Sequence, residues 1–345
     1  MSGTGPATTQ MSSNPGTGPG PLLDIRELCV EFGEGARAFH ALNGVNLAVA
    51  PAAAIAILGE SGCGKSVTSL AVTGLLGRSG RVTGGSISFN GHDLLGMSKQ
   101  ALNRVRGVEI GMIFQDALSA LNPTLTVGYQ MRELLRTRMG LSRSAARTRA
   151  KELLDAVGIA DPGRCARSFP HQLSGGMRQR VLIAMAVSLE PKLLICDEPT
   201  TALDATIQAQ VIELLKTLRR DMNMSLIFIT HDVGVAAEIA DDVAVMYAGR
   251  VIECGPVRDV FDNPAHPYTK ALLGARPAAA EGGRTLATLP GAVPDLVRVP
   301  DGCLFEPRCA RRADRCRAEY PALLPISANH ASACHFREEV VNERP

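Results

Sequence analysis

Short apolar runs alternate with longer segments of helical periodicity across residues 23–246. The run Ala54–Leu58 contains only apolar residues and stops at Gly59, as expected of a strand that is buried on both faces. Residues 193–196 and 226–230 follow the same pattern. This alternation predicts an α/β fold with a largely parallel sheet.

The segment from about 97 to 189 differs in character. Helix-compatible stretches at 132–138, 144–157 and 174–189 dominate it, and runs of β-branched residues disappear. We expect a helical subdomain inserted into the α/β core. Residues 22–255 then form one domain, with a tail at 1–21 before it and an extension at 256–345 after it. No internal repeat indicates a second copy of the domain.

Composition removes several classes of protein. Hydrophobic residues make up 46% and charged residues 20%, which is typical of a globular chain. The 36 Lys and Arg nearly balance the 34 Asp and Glu, so nucleic acid is not expected as a partner. The most apolar stretch, 47–59, is interrupted by Pro51 and is shorter than the roughly 20 residues of a membrane helix. The first twenty residues lack the apolar core of a signal peptide and are typical of a disordered tail, so we expect a chain kept in the cytosol.

A phosphate-binding loop follows the strand Ala54–Leu58. The residues that fit the pattern G-x-x-x-x-G-K-[ST] are Gly59, Glu60, Ser61, Gly62, Cys63, Gly64, Lys65 and Ser66. Glycines let successive backbone N–H groups converge on phosphate oxygens, and the start of the helical run at 67–76 adds its positive dipole. Lys65 is expected to bind the β- and γ-phosphates of ATP, and Ser66 to bind Mg²⁺. A chance glycine-rich turn would lack the strand and the helix on either side.

Two carboxylates follow the apolar run at 193–196. Asp197 is expected at the carboxyl edge of the sheet, where it can hold Mg²⁺ through water. Glu198, one residue later, is placed to polarise the attacking water. Such a pair alone is usually a solvated strand end. Together with the phosphate-binding loop it predicts hydrolysis of Mg²⁺–ATP.

Residues 173–180, Leu-Ser-Gly-Gly-Met-Arg-Gln-Arg, resemble the signature motif of ABC ATPases. Ser174 would cap a helix, and Gly175 and Gly176 would leave their N–H groups open to an anion. In that family the motif contacts the ATP held by the opposite subunit. The resemblance therefore implies an ABC-type P-loop NTPase that hydrolyses ATP only as one of a pair.

Further positions resemble those of the family. Gln115 corresponds to the glutamine that contacts Mg²⁺ and links the core to the helical subdomain, and Asp204 to the loop that crosses the dimer interface. His231 corresponds to the histidine that contacts the γ-phosphate. The resemblance implies that His231 acts with Glu198 and Lys65 in catalysis.

The adenine base is expected to stack on an aromatic side chain. Phe32 resembles the aromatic residue of the family at this position, and Phe39 or His40 are the alternatives.

Two short segments narrow the resemblance to importers of the oligopeptide and dipeptide permease group. They are residues 115–123, Gln-Asp-Ala-Leu-Ser-Ala-Leu-Asn-Pro, and residues 266–269, His-Pro-Tyr-Thr. The group implies a peripheral ATPase on the cytosolic face of the inner membrane, with two permease subunits, a second ATPase that is identical or paralogous, and an external binding protein. Nickel importers share much of the pattern, so nickel stays open as the cargo. A soluble ABC ATPase not coupled to transport is disfavoured, because the chain has one cassette and no sustained heptads.

Four cysteines lie close together near the C-terminus: Cys303, Cys309, Cys316 and Cys334. In a reducing compartment such a cluster indicates a metal site before disulfides. Zinc and an iron–sulfur cluster both accept four thiolates, and the spacing alone does not decide between them. The segment 303–309 resembles the extension of peptide-permease ATPases, for which a structural 4Fe–4S cluster is the expectation. Zinc is the alternative, and His335 is a further candidate ligand that is more simply a surface residue.

Overall fold

The computed structural model describes residues 20–35, 38–115, 120–201, 203–274, 291, 294, 296–297 and 299–343. Most of the predicted tail, residues 116–119 of the permease-type segment, and Ala202 lie outside these residues. The strands are β1 (Leu23–Phe32), β2 (Phe39–Val49), β3 (Ala54–Leu58), β4 (Gly80–Phe89), β5 (His92–Asp93), β6 (Ile110–Ile113), β7 (Leu193–Asp197), β8 (Ser225–Thr230), β9 (Asp242–Tyr247), β10 (Arg250–Pro256), β11 (Leu324–Pro325) and β12 (Ala331–Ser332).

Helices connect these strands. They are α1 (Lys65–Thr73), α2 (Lys99–Val105), α3 (Val127–Met139), α4 (Arg143–Ala156), α5 (Pro162–Arg167), α6 (Gly175–Val187), α7 (Ala205–Asp221), α8 (Val233–Ile239), α9 (Val257–Asp262), α10 (Pro267–Gly274), α11 (Asp314–Ala318) and α12 (Arg337–Asn342). Single 3₁₀ turns lie at Pro170–Gln172 and Glu306–Arg308.

One large sheet forms the centre of the fold, in the strand order β11-β12-β10-β9-β3-β8-β7-β6. Strands β3, β7 and β8 are buried along their whole length, as their continuous apolar sequences require. The five strands from β9 to β6 in this order pair in parallel. The carboxyl ends of β3, β7 and β8 therefore meet at one edge, where ligands bind in open α/β sheets. The predicted α/β fold with a largely parallel sheet is confirmed.

A second, antiparallel sheet in the order β2-β1-β4-β5 is not evident from the sequence pattern. The register of β1 against β2 shifts after Ile25 and after Leu28. Such shifts interrupt the period of two by which a half-buried strand is recognised. Residues of this sheet share one apolar core with α1 and with one face of the main sheet, so the second sheet packs against that face.

The predicted helical stretches correspond to α3, α4 and α6. The side chains of Thr126, Ser142 and Ser174 cap them by accepting hydrogen bonds from backbone N–H groups of the first turn. The segment 97–189 also contains β6, which pairs in parallel with β7 at the edge of the main sheet. Its four residues are too few for a composition pattern to reveal. The limits of the helical subdomain stay a prediction.

Residues of the C-terminal extension join the main sheet. Strand β12 pairs with β10, and β11 pairs with β12. Glu253 of β10 is fully buried, and its carboxylate accepts hydrogen bonds from the N–H groups of Ala265 (2.6 Å) and His266 (3.0 Å) and from His330 Nε2 (2.8 Å). Within the described part of the chain, no helix has the length and apolarity needed to cross a membrane.

Candidate active site

The predicted phosphate-binding loop runs from the end of β3 to the start of α1. Gly59, Gly62 and Gly64 have positive φ values of 155°, 80° and 104°. A Cβ at Gly59 would lie 2.3 Å from the carbonyl oxygen of Met246, so a larger residue cannot occupy this position without displacing the backbone. The ammonium group of the buried Lys65 donates hydrogen bonds to the carbonyl oxygens of Gly59 (2.7 Å) and Glu60 (2.9 Å).

The two predicted magnesium ligands lie together. Ser66 Oγ, in the first turn of α1, donates to Asp197 Oδ1 at the end of β7, at 3.0 Å. Asp197 is almost fully buried, and this burial raises the pKa of its carboxyl group, while the hydrogen bond from Ser66 opposes the rise. A hydroxyl and a carboxylate in contact at the sheet edge form an oxygen site suited to Mg²⁺.

The predicted base, Glu198, is at the centre of a small polar cluster. Gln115 Nε2 and Thr201 Oγ1 donate to its Oε2 at 3.2 and 2.9 Å, and His231 Nδ1 lies 3.5 Å from its Oε1. Its backbone has a φ of 46°, and its N–H donates to the carbonyl oxygen of Ile229 on β8. The structure thus brings three predicted residues together, and it adds Thr201, which the sequence analysis did not single out.

The predicted signature residues begin α6. Ser174 caps this helix by accepting a hydrogen bond from the N–H of Met177 at 3.3 Å. A Cβ at Gly176 would lie 2.9 Å from Ile207 Cγ2, so this glycine allows α6 to approach α7 closely. Asp204 caps α7 by accepting from the N–H of Ile207 at 2.9 Å. The signature and the Asp204 loop are therefore neighbours within one chain.

The aromatic candidates for adenine lie side by side. The rings of Phe32 and Phe39 stack with their centroids 5.6 Å apart and their planes 17° apart. The His40 ring is not part of this stacked pair, and its Nδ1 lies 3.3 Å from Glu31 Oε1. Phe39 is 39% exposed and Phe32 is half-buried, so the choice of Phe32 as the residue that stacks on adenine stays a prediction.

Cys303, Cys309, Cys316 and Cys334 all line one cavity in the extension. Burial raises the pKa of the Cys303 and Cys334 thiols to about 11. Among the residues that the structure describes, no three Cys, His, Asp or Glu side chains are arranged to hold a metal ion. His335, which also lines the cavity, lies 2.8 Å from Arg315 Nη2 through its Nδ1.

The phosphate-binding loop, the predicted magnesium ligands, the predicted base and the signature helix define a class of protein, the ATP-binding cassette ATPases. A family model described as "ABC transporter" matches residues 42–201, and one described as "Oligopeptide/dipeptide transporter, C-terminal region" matches residues 252–316. The dipeptide transport ATP-binding protein DppD of Escherichia coli (strain K12) is 49% identical over 91% of this chain and 96% of its own length. DppD of Bacillus subtilis (strain 168) is 47% identical over 92% of this chain and 95% of its own length.

Solved structures of ABC cassettes are similar to this chain as well. The dimeric ATP-binding cassette MJ0796, in a post-hydrolysis state bound to ADP and Pi, is 27% identical with a TM-score of 0.62 and matches 69% of this chain and 99% of its own. CbiO1 of Clostridium perfringens is 30% identical with a TM-score of 0.61 and matches 70% of this chain and 91% of its own. The chain belongs to the ATP-binding proteins of ABC transporters, in the oligopeptide/dipeptide transporter family. This confirms the predicted ABC-type fold and an ATPase activity coupled to transport.

Proposed function

We propose that this chain hydrolyses ATP to drive the import of dipeptides and oligopeptides. The observation that carries the proposal is the identity of 49% to a dipeptide transport ATP-binding protein, which extends over the C-terminal extension as well as the cassette. The cassette is common to many transporters, whereas the extension matches a region described for oligopeptide and dipeptide transporters. Nickel import by the same machinery is the second candidate, because nickel importers belong to the same group and share much of its sequence pattern.

The catalytic residues have separate roles in this proposal. Lys65 and the glycine N–H groups bind the phosphates, and Ser66 and Asp197 hold Mg²⁺. Glu198 activates the attacking water, while Gln115 and His231, both in contact with the Glu198 carboxylate, orient it and the γ-phosphate. Burial disfavours the ionised form of Asp197, and a bound cation would offset that desolvation.

A second ATPase subunit completes the site. Gly175 and Gly176 lie beside Leu203 and Ile207 of their own chain, and with Ser174 they would present N–H groups to the ATP of the partner, with Asp204 at the interface. The dimeric state of the related cassette bound to ADP and Pi supports this arrangement. Two permease subunits and an external binding protein are the further partners.

Uptake into proteoliposomes tests the proposal. The chain is reconstituted with the permease subunits and the binding protein, and the uptake of a radiolabelled dipeptide and of nickel ions is measured with and without ATP. We expect ATP-dependent dipeptide uptake that is lost in Lys65→Ala. Uptake of nickel and not of dipeptide would replace peptide import with the second candidate.

We further propose that the four cysteines hold a structural 4Fe–4S cluster. The four thiols line one cavity, and the segment 303–309 resembles the extension of peptide-permease ATPases, for which such a cluster is the expectation. Each thiolate would bind one iron and so would cross-link an extension with little regular structure. Iron and acid-labile sulfide in anaerobically purified protein, with visible charge-transfer absorption, are the expected results. Zinc without iron would overturn this assignment.

A further inference from the structure

Arg308, in the 3₁₀ turn between Cys303 and Cys309, reaches the phosphate-binding loop. Its Nη1 donates to Glu60 Oε2 at 2.7 Å and its Nη2 donates to Glu60 Oε1 at 3.0 Å. The side chain of Arg308 is 5% exposed and that of Glu60 is 27% exposed. A planar guanidinium paired with both oxygens of a carboxylate fixes orientation as well as distance. The pair therefore joins the extension to the loop in one geometry.

The backbone of Glu60 is held as well as its side chain. Its N–H donates to Tyr268 Oη of α10 at 2.9 Å, and its carbonyl oxygen accepts from the Lys65 ammonium at 2.9 Å. Glu60 is thus connected on one side to two residues of the extension and on the other to the lysine that binds phosphate. A shift of Glu60 would move the hydrogen-bond acceptor that orients Lys65.

A layer of aromatic rings supports the same contact. The centroids of Tyr247 and Tyr268 are 4.8 Å apart, and the Phe305 ring lies 5.3 Å from the first and 5.5 Å from the second. Arg308 Nη1 also donates to Tyr247 Oη at 3.3 Å. Phe305 lines the cysteine cavity, so packed side chains connect that cavity to the loop without interruption.

We propose that Arg308 is a positioning residue for ATP binding, through which the cysteine-bearing extension and the phosphate-binding loop are energetically coupled. Arg308 holds Glu60, and Glu60 holds the loop and Lys65 in the arrangement that receives the phosphates. Coupling between two sites is reciprocal, so ATP binding also stabilises the segment around Arg308. The proposal concerns ATP affinity of the chain itself and does not rest on the cargo or on the nature of the group in the cavity.

A double-mutant cycle tests the coupling. The dissociation constant for ATP is measured with the full chain for Arg308→Ala, Glu60→Ala and the double variant. We expect each single variant to bind ATP between about 5- and 50-fold more weakly, within the usual range of coupling between sites, and the double variant to be no weaker than the single ones. Arg308→Lys keeps the charge but loses the two-point contact, so we expect it to weaken ATP binding too. It replaces Arg308→Ala in the test if that variant fails to fold.

The control is Arg317→Gln, which removes another arginine of the extension. Arg317 is 62% exposed and pairs with Glu306 Oε1 at 2.8 Å, so ATP affinity should not change. Hydrogen exchange gives a second readout that a merely structural role would not move. ATP should slow exchange in residues 303–309 of the native chain and should not do so in Glu60→Ala. Unchanged affinity in Arg308→Lys and Glu60→Ala, or multiplicative losses in the double variant, would overturn the proposal.

Discussion

Replacing Glu253 by alanine should release the C-terminal extension from the main sheet. The Glu253 carboxylate is fully buried and accepts from two backbone N–H groups, those of Ala265 and His266, and from the His330 ring. The variant leaves these three donors in the interior without their acceptor. The N–H groups belong to the segment that leads into α10, so the first effect is expected there.

The magnitude follows from the number of donors. A buried donor that loses its partner costs about 1–3 kcal/mol, so three such donors together would cost about 3–9 kcal/mol. Water can enter the space that the side chain leaves and pair with some of these donors, so we take the lower part of the summed cost, about 3–5 kcal/mol. Each tenfold change in an equilibrium corresponds to about 1.4 kcal/mol, so local opening should become about 10²- to 10⁴-fold more frequent.

Native-state hydrogen exchange of the amides of Ala265 and His266 is the assay, because both amides donate directly to Glu253. Their protection factors should fall by that factor. Glu213→Ala is the matched control: Glu213 is 67% exposed and pairs with Lys216 one turn away at 3.1 Å, an interaction worth a few tenths of a kcal/mol. Unchanged protection in Glu253→Ala would refute the role of this carboxylate as the anchor of the extension.

Three further substitutions test the nucleotide site. Asp197→Asn should raise the thermal stability of the nucleotide-free chain while abolishing Mg²⁺-dependent hydrolysis. Burial raises the pKa of Asp197, so its ionised carboxylate lowers the stability of the native chain at pH values above the ordinary carboxyl pKa. As the pH falls toward that ordinary pKa, the difference in melting temperature between Asp197→Asn and the native chain should shrink, which calorimetry measures. Gly59→Ala should abolish ATP binding in a filter assay and lower the melting temperature, because its Cβ would lie 2.3 Å from the Met246 carbonyl oxygen at a φ of 155°; normal binding would contradict the geometry. Gly176→Ala, whose Cβ would lie 2.9 Å from Ile207, should leave ATP binding by one chain intact and reduce hydrolysis by at least about tenfold, as steady-state assays would reveal.

The proximity of the predicted nucleotide-site residues can be anticipated from the sequence, because the segments that contain them are local. The phosphate-binding loop is a contiguous string between a strand and a helix, and Asp197 and Glu198 directly follow an apolar strand. Parallel pairing then brings these segments to one edge, which a sequence reading can anticipate. The short contacts from Ser66 to Asp197 and from Gln115 to Glu198 agree with that expectation.

Contacts between distant segments could not be predicted in this way. Arg308 and Glu60 are 248 positions apart, and nothing in the spacing of either residue indicates the other. From the sequence alone, Glu253 is indistinguishable from a solvent-exposed polar residue of a strand, although it is fully buried in the structure. Its partners come from loops, and loops carry no periodicity. The antiparallel sheet was not predicted because register shifts in the pairing of β1 with β2 interrupt the alternation of apolar and polar residues along these strands.

In the proposed function this chain hydrolyses ATP with Glu198 as the group that activates water. The most direct measurement compares ATP turnover and ATP trapping in the native chain and in Glu198→Gln, which keeps the shape of the side chain but not its basicity. Removal of a general base should slow turnover by about 10²- to 10⁴-fold, while ATP stays bound and paired chains accumulate. Undiminished turnover in Glu198→Gln would rule out Glu198 as the group that activates water.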